Sequence, residues 1–150
     1  SDFSAKTAAE SAKQALVHFQ ESGDKVGEGI ALILQAKVHI AQSEKELDEG
    51  LRCAKAAIAA FKECQRPAGE AAALSVEALA HLHQGSPAEA EKAARQALGI
   101  FQELGHRVGQ STAEMLVRKS QLAATKPSKA RIVCDEYQCA HVEMSGLCSP

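Results

Sequence analysis

Ala12 Lys13 Gln14 Ala15 Leu16 Val17 His18 Phe19 is written again forty-two residues on as Ala54 Lys55 Ala56 Ala57 Ile58 Ala59 Ala60 Phe61, and forty residues after that as Ala94 Arg95 Gln96 Ala97 Leu98 Gly99 Ile100 Phe101. In every copy a glycine stands eight residues past the phenylalanine, at Gly27, Gly69 and Gly109. Self-similarity at a period of about 20 to 50 residues marks stacked supersecondary units, none of which can bury its apolar face alone. The apolar residues around the copies recur at helical spacing. The chain therefore reads as all-α: an α-solenoid of antiparallel helix pairs, about six helices over residues 1–125, followed by an irregular cysteine-containing tail over residues 126–150. Such a fold presents surface rather than a reaction centre.

Composition sets the outer bounds. A chain of 150 residues makes roughly one domain, and 45% hydrophobic residues are enough for a core. Aromatics are only 3% and Trp is absent, so that core consists of Ala, Leu, Ile and Val with a few Phe as fillers, and its helices approach closely. A formal net charge of −2 gives no basic footprint for nucleic acid. No apolar run approaches the ~18 residues that span a bilayer; Ala56 to Phe61 is closed off by Lys55 and Lys62. The start at Ser1 lacks both Met and the charged-then-apolar profile of a secretory signal. A cytoplasmic chain and one inside an organelle after leader removal read alike, and the localisation is unknown from sequence.

Punctuation places the helices. The first is expected from about Ser4 to Glu21 with Gly23 as its stop, and the second after Gly27, ending near Gln42. Ser43 with Glu46 makes a capping-box pattern at the start of the third, which runs through Cys64. Pro67 opens the fourth, as proline has no N–H to lose in a first turn. Gly85, Ser86, Pro87 and Glu89 are in succession a stop, an N-cap, an N1 proline and a capping-box acid, and mark the fourth-to-fifth boundary. The fifth helix continues to Leu104, Gly105 stops it, and the sixth covers roughly Val108 to Ala124.

The run Gly85 Ser86 Pro87 Ala88 Glu89 Ala90, followed by Ala97 Leu98, resembles the second helix of a tetratricopeptide repeat, where a glycine turn precedes two small residues seven apart; Ala8 with Ala15 and Gly50 with Ala57 are the matching pairs. Phe19 to Gly27, then Ala31 Leu32, is similar to the longer-period members, with repeats of about forty residues. The likeness covers about residues 5 to 124. Where the family usually places a leucine and a tyrosine, this chain has Glu77 and His81. The resemblance implies a concave groove lined by the first helix of each pair, here Gln35, Lys37 and His39 in one repeat and Ser75, Glu77, His81 or His83 in the next. It also implies a protein or peptide partner. Family members that grip chaperone C-termini use Asn with Lys and Arg, and this chain has no Asn, which argues against that subclass.

Nothing points to an enzyme. His81 and His83 are two apart, on different helix faces, and do not make the i, i+4 pair of a helical metal site. No nucleophile elbow, P-loop or dinucleotide fingerprint is present. No cofactor is expected. In the tail, Cys134, Cys139, His141 and Cys148 could hold Zn²⁺ as a tetrahedral set, without the paired C-x₂-C brackets of the usual sites. Five cysteines rule out complete pairing within the chain. The expected function is a non-enzymatic protein–protein interaction module. The alternative is a permanent structural or linker subunit of a larger complex, an organellar one included, anchored by the tail on neighbouring subunits. That alternative draws on the shortness of the array and on the lack of an obvious polar capping helix.

Overall fold

A computed structural model describes residues 2–126, and every regular element in them is helical: α1 (Asp2–Ser22), α2 (Lys25–Gln42), a 3₁₀ turn (Glu44–Glu46), α3 (Leu47–Glu63), α4 (Pro67–His83), α5 (Pro87–Glu103) and α6 (Arg107–Thr125). The chain is an all-α helical repeat, as its period requires. Among the described residues no helix is long and apolar enough to cross a membrane. The candidate zinc set Cys134, Cys139, His141 and Cys148 lies outside the described residues.

The Phe-to-Gly spacing follows from how the helices turn. α1 ends in a Schellman motif: Asp24 donates its N–H to the Phe19 carbonyl at 3.0 Å, and Gly23, at φ 72°, donates to the Gln20 carbonyl at 3.3 Å. Arg66 with Phe61 and His106 with Phe101 repeat the longer bond, each at 2.9 Å. In all three turns the phenylalanine thus lies four residues before the left-handed residue, Gly23, Gln65 or Gly105, and the residue that closes the turn already caps the next helix. Eight residues on, the third position of that next helix comes to lie against the ring. A Cβ built on Gly27, Gly69 or Gly109 would meet the ring of Phe19, Phe61 or Phe101 at 2.3, 2.3 and 2.4 Å. Only a hydrogen fits between helix and ring, so the two recur together.

The caps vary more than the turns. At α2 the Asp24 carboxylate accepts the N–H groups of Val26 at 3.1 Å and Gly27 at 3.0 Å, which starts the helix at Lys25, two residues before the expected boundary. His106 does the same work at α6 with Nδ1, accepting the Gly109 N–H at 2.9 Å while its ring lies against Phe101. Arg66 offers α4 no side-chain cap. The two expected capping boxes do not form. Ser43 makes no side-chain cap bond, the Glu46 N–H donating instead to the Ser43 backbone carbonyl at 3.1 Å, and the Glu46 carboxylate is drawn to His39 Nδ1 at 2.8 Å. Ser86 likewise makes none, and there the Gly85 turn and Pro87 set the boundary alone.

Each helix packs on its neighbours in the chain. Beyond that, α2 packs on α4 and α4 on α6, with no comparable contact among α1, α3 and α5. Alternate helices touch only where a row is compressed, so α2, α4 and α6 form the inner side of a curved stack. α4 sits at its centre and takes part in all three apolar clusters, through Leu74, Val76 and Ala78.

Two expectations follow. Phe61 is held between Gly69 and Gly29, where added Cβ atoms would approach its ring to 2.3 and 2.7 Å, so the ring has nowhere to retreat. Gly69→Ala should cost about 1–3 kcal/mol as overpacking. Gly99→Ala, in a helix with nothing within 4 Å of the new Cβ, should stabilise by up to about 1 kcal/mol. Thermal melts giving both changes the same sign would refute the ring-on-glycine account. Gln65, at φ 53°, is the described non-glycine residue in the left-handed region; Gln65→Gly should raise the melting temperature by about 3 °C, relieving roughly 1 kcal/mol of strain.

Candidate functional site

The inner row presents a cavity of about 300 Å³. Helix geometry decides what lines it. Residues four apart share a face and residues two apart do not, so Ser75 and Leu79 of α4 reach it together, joined by Lys37 of α2. From α6 come Val108, Met115 and Lys119, spaced along one stripe. The result is an apolar floor flanked by two ammonium groups. Val108 and Met115 are 74% and 46% exposed, large apolar side chains that the fold itself leaves in water.

Of the six groove residues expected from the resemblance, Lys37 and Ser75 line this cavity. The Ser75 hydroxyl is turned back to its own helix, donating to the Ala71 carbonyl at 3.0 Å. Gln35 and His39 belong to the opposite face of α2 and are engaged with α3 and the turn before it. Gln35 is only 7% exposed, and its Oε1 accepts from the Cys53 thiol at 3.8 Å. His39 is held by Glu46. Glu77 and His81 occupy the corresponding positions of α4, one turn apart, with side chains 15% and 13% exposed and 3.9 Å between them. Neither lines the cavity. Val108, Leu79, Met115 and Lys119 were not anticipated, although moving Ser75 forward by the forty-residue period points to Met115.

Where α2 meets α3, His39, Glu49 and Cys53 bring ligand-type atoms within 4.8 Å of one another. Each is already committed. Arg52 clasps the Glu49 carboxylate with two hydrogen bonds and holds it below the usual carboxylate range. Burial, with the Glu49 carboxylate adding to it, pushes the Cys53 thiol up, so the neutral form is the stable one. A tetrahedral zinc site needs thiolate. The group reads as a polar seam tying the α2–α3 turn together, not as a metal centre. The Gln35 Nε2 and His81 Nδ1 atoms are buried without a partner among the described residues, and both lie on this face rather than on the inner one.

No family model, no curated protein and no solved structure matches this chain. Its function must therefore be argued from its own surface.

The seam generates a prediction. A folded-state pKa raised above the ordinary value near 9.0 means the folded protein binds the Cys53 proton more tightly than the unfolded chain does. The stability it contributes is complete below that value and is lost as pH rises through the folded one. Cys53→Ala should flatten the alkaline limb of the stability profile. In the native protein, iodoacetamide followed by peptide mass spectrometry should leave Cys53 unlabelled until the chain unfolds, while the half-exposed Cys64 is modified. Rapid native labelling of Cys53 would contradict its burial.

Proposed function

We propose that the chain is a non-enzymatic protein-interaction module of the tetratricopeptide type, holding a partner peptide against the inner row α2–α4–α6. The observation that carries this reading is the cavity itself: an apolar floor of Leu79, Val108 and Met115 between Lys37 and Lys119. Among the described residues no carboxylate pairs with either lysine. Two cations flanking an apolar strip select a segment with apolar anchors and acidic flanks, through burial of the anchors and charge complementarity at the rim. The hydroxyls of Ser75 and Thr112 in its lining donate to the Ala71 and Val108 carbonyls of their own helices, and His106 Nδ1 accepts the Gly109 N–H, so these groups are engaged in the fold and recognition falls to the apolar floor and the two lysines.

The second reading, a permanent subunit of a larger assembly, is favoured by one observation: Val17, Ile30 and Leu34 near the N-terminal end are each about half exposed (53%, 50% and 49%). An array built to stand alone normally covers such residues with a polar terminal repeat. Hydrodynamic measurement separates the two, since a free module is a monodisperse monomer and a subunit without its neighbours associates or precipitates.

Selection of displayed peptides on the purified chain should enrich apolar sequences with Asp or Glu flanks. Met115→Glu combined with Lys119→Glu should weaken the selected peptides by tenfold or more, about 1.4 kcal/mol at least, while far-UV circular dichroism stays unchanged because both side chains are exposed. Selection without such enrichment, or peptides that bind the double variant equally well, would remove the inner row as the binding surface.

A further inference from the structure

The repeats allow each surface of the molecule to be compared with its own copies, and one surface is unlike them. α3 and α4 form a groove that α2 fills, and α5 and α6 form one that α4 fills. α1 and α2 form the same groove, and among the described residues nothing fills it. It is an open trough of about 1100 Å³.

The walls correspond position by position. Ala8, Ala15, Leu34 and Val38 line the open trough. One period on, these positions are Gly50, Ala57, Val76 and Ala80, all buried; a further period on, they are Ala90, Ala97, Leu116 and Ser120, again all buried. Leu34 is 49% exposed where Val76 is 5% and Leu116 4%. The lining was built for cover that its two copies receive.

The copies also say what the cover is. α2 presents Gly29, Leu32, Ala36 and Ile40 to its groove: a Cβ on Gly29 would meet the Phe61 ring at 2.7 Å, and one on Gly50 would meet Ile40 Cγ1 at 3.1 Å and the Ala36 carbonyl oxygen at 3.2 Å. One period on, α4 carries Ala71, Leu74, Ala78 and Leu82 at the same positions. The shared pattern is Gly or Ala, two residues, Leu, three residues, Ala, three residues, then Ile or Leu. It places small side chains where backbones approach and branched ones in the gaps. No stretch of residues 127–150 contains this pattern. Nor does α6 of another copy, whose corresponding positions are Ser111, Glu114, Arg118 and Leu122; the first three are polar and exposed. α6 thus carries charge on the row where α2 and α4 are apolar, and it is unsuited to seat in the trough.

We infer that the α1–α2 trough is a helix seat, occupied in the working protein by one further amphipathic helix of the α2/α4 pattern, supplied from outside these 150 residues. The occupant continues the stack by one member and covers Ala8, Ala15, Leu34 and Val38. This site meets the inner-row groove at Lys37, which lines both, but Leu34 belongs to the trough alone and Met115 and Lys119 to the groove alone, so the two are tested independently.

The test uses the whole chain and a synthetic peptide with the sequence of residues 67–83. The peptide should bind saturably to the wild-type chain, and the half-exposed Leu34→Glu variant should bind it at least tenfold more weakly, since an unpaired charge would be buried under the helix. A peptide of residues 107–125, with its polar row, should not bind. Because a short helix forms poorly in isolation, the second arm joins residues 67–86 ahead of residue 5, the register in which they precede Pro87. This extended chain should melt several degrees above the original, and Leu34→Glu should abolish the gain. Absence of both binding and thermal gain would overturn the inference, as would equal effects in the Leu34→Glu chain. Association of the unextended chain into dimers or longer oligomers that Leu34→Glu disperses would overturn it in favour of stacking between copies.

Discussion

The contact between a phenylalanine ring and a helical glycine is the constraint on which the architecture depends. Each Schellman turn fixes the phenylalanine carbonyl as acceptor, the turn's last residue as cap, and the third residue of the next helix as the surface beneath the ring. With a Cβ there, the ring and the helix would interpenetrate. The geometry repeats because the chain solves the same closure three times. It is absent from the α4–α5 turn, where His81 supplies the carbonyl and Glu89 stands eight residues on. Ring-on-glycine closures at α1–α2, α3–α4 and α5–α6 thus alternate with turns that lack the ring, although the α4–α5 turn keeps the same backbone bond, from the Ser86 N–H to the His81 carbonyl at 2.9 Å. Core volume follows: Phe61 and Phe101 fill the spaces left by walls of alanine, and a chain without Trp still packs a continuous interior.

How much of this was legible in the sequence depended on whether a feature had a single physical cause. The period and the helix count could be read, because a glycine eight residues after a phenylalanine has one explanation when it recurs. The capping boxes could not. Ser43 and Glu46 have the right spacing, but a carboxylate beside a histidine has a competing partner, and which one prevails depends on where α2 places His39. The Gln65 turn was equally hidden, since nothing local announces a glutamine in a left-handed conformation; only its alignment with Gly23 and Gly105 does.

The groove was half legible for a geometric reason. Gln35, Lys37 and His39 are alternate residues, and in a helix alternate residues point nearly oppositely while those four apart coincide. The expected set therefore mixed two faces, Gln35 with His39 and Glu77 with His81 on the outer-row side, Lys37 and Ser75 on the inner. The third copy held the discriminating signal. The position of Gln35 and Glu77 becomes Val117 in α6, buried and packed with residues of α5, and a position that accepts valine in one copy is an interior one. At the other two the polar side chain is turned into the interior, Gln35 toward the Cys53 thiol and Glu77 toward His81 at 3.9 Å, rather than onto a recognition surface.

The two ends of the stack differ in a way that limits what the protein can assemble into. A repeat array whose two ends were complementary would propagate head to tail without closing, the heterologous geometry that produces fibres. Here the onward-facing row changes from Leu32 and Ala36 in α2, through Leu74 and Ala78 in α4, to Glu114 and Arg118 in α6. Burying Glu114 and Arg118 against the alanines of the α1–α2 trough would strip both of water, a penalty of several kcal/mol per ion that their own i, i+4 attraction offsets only in part. Among the described residues, the small and branched pattern that fits the N-terminal trough is thus absent from α6, the last helix of the stack. Charge on α6 therefore disfavours head-to-tail stacking through that helix, while the apolar walls of the α1–α2 trough suit a helix of small and branched pattern.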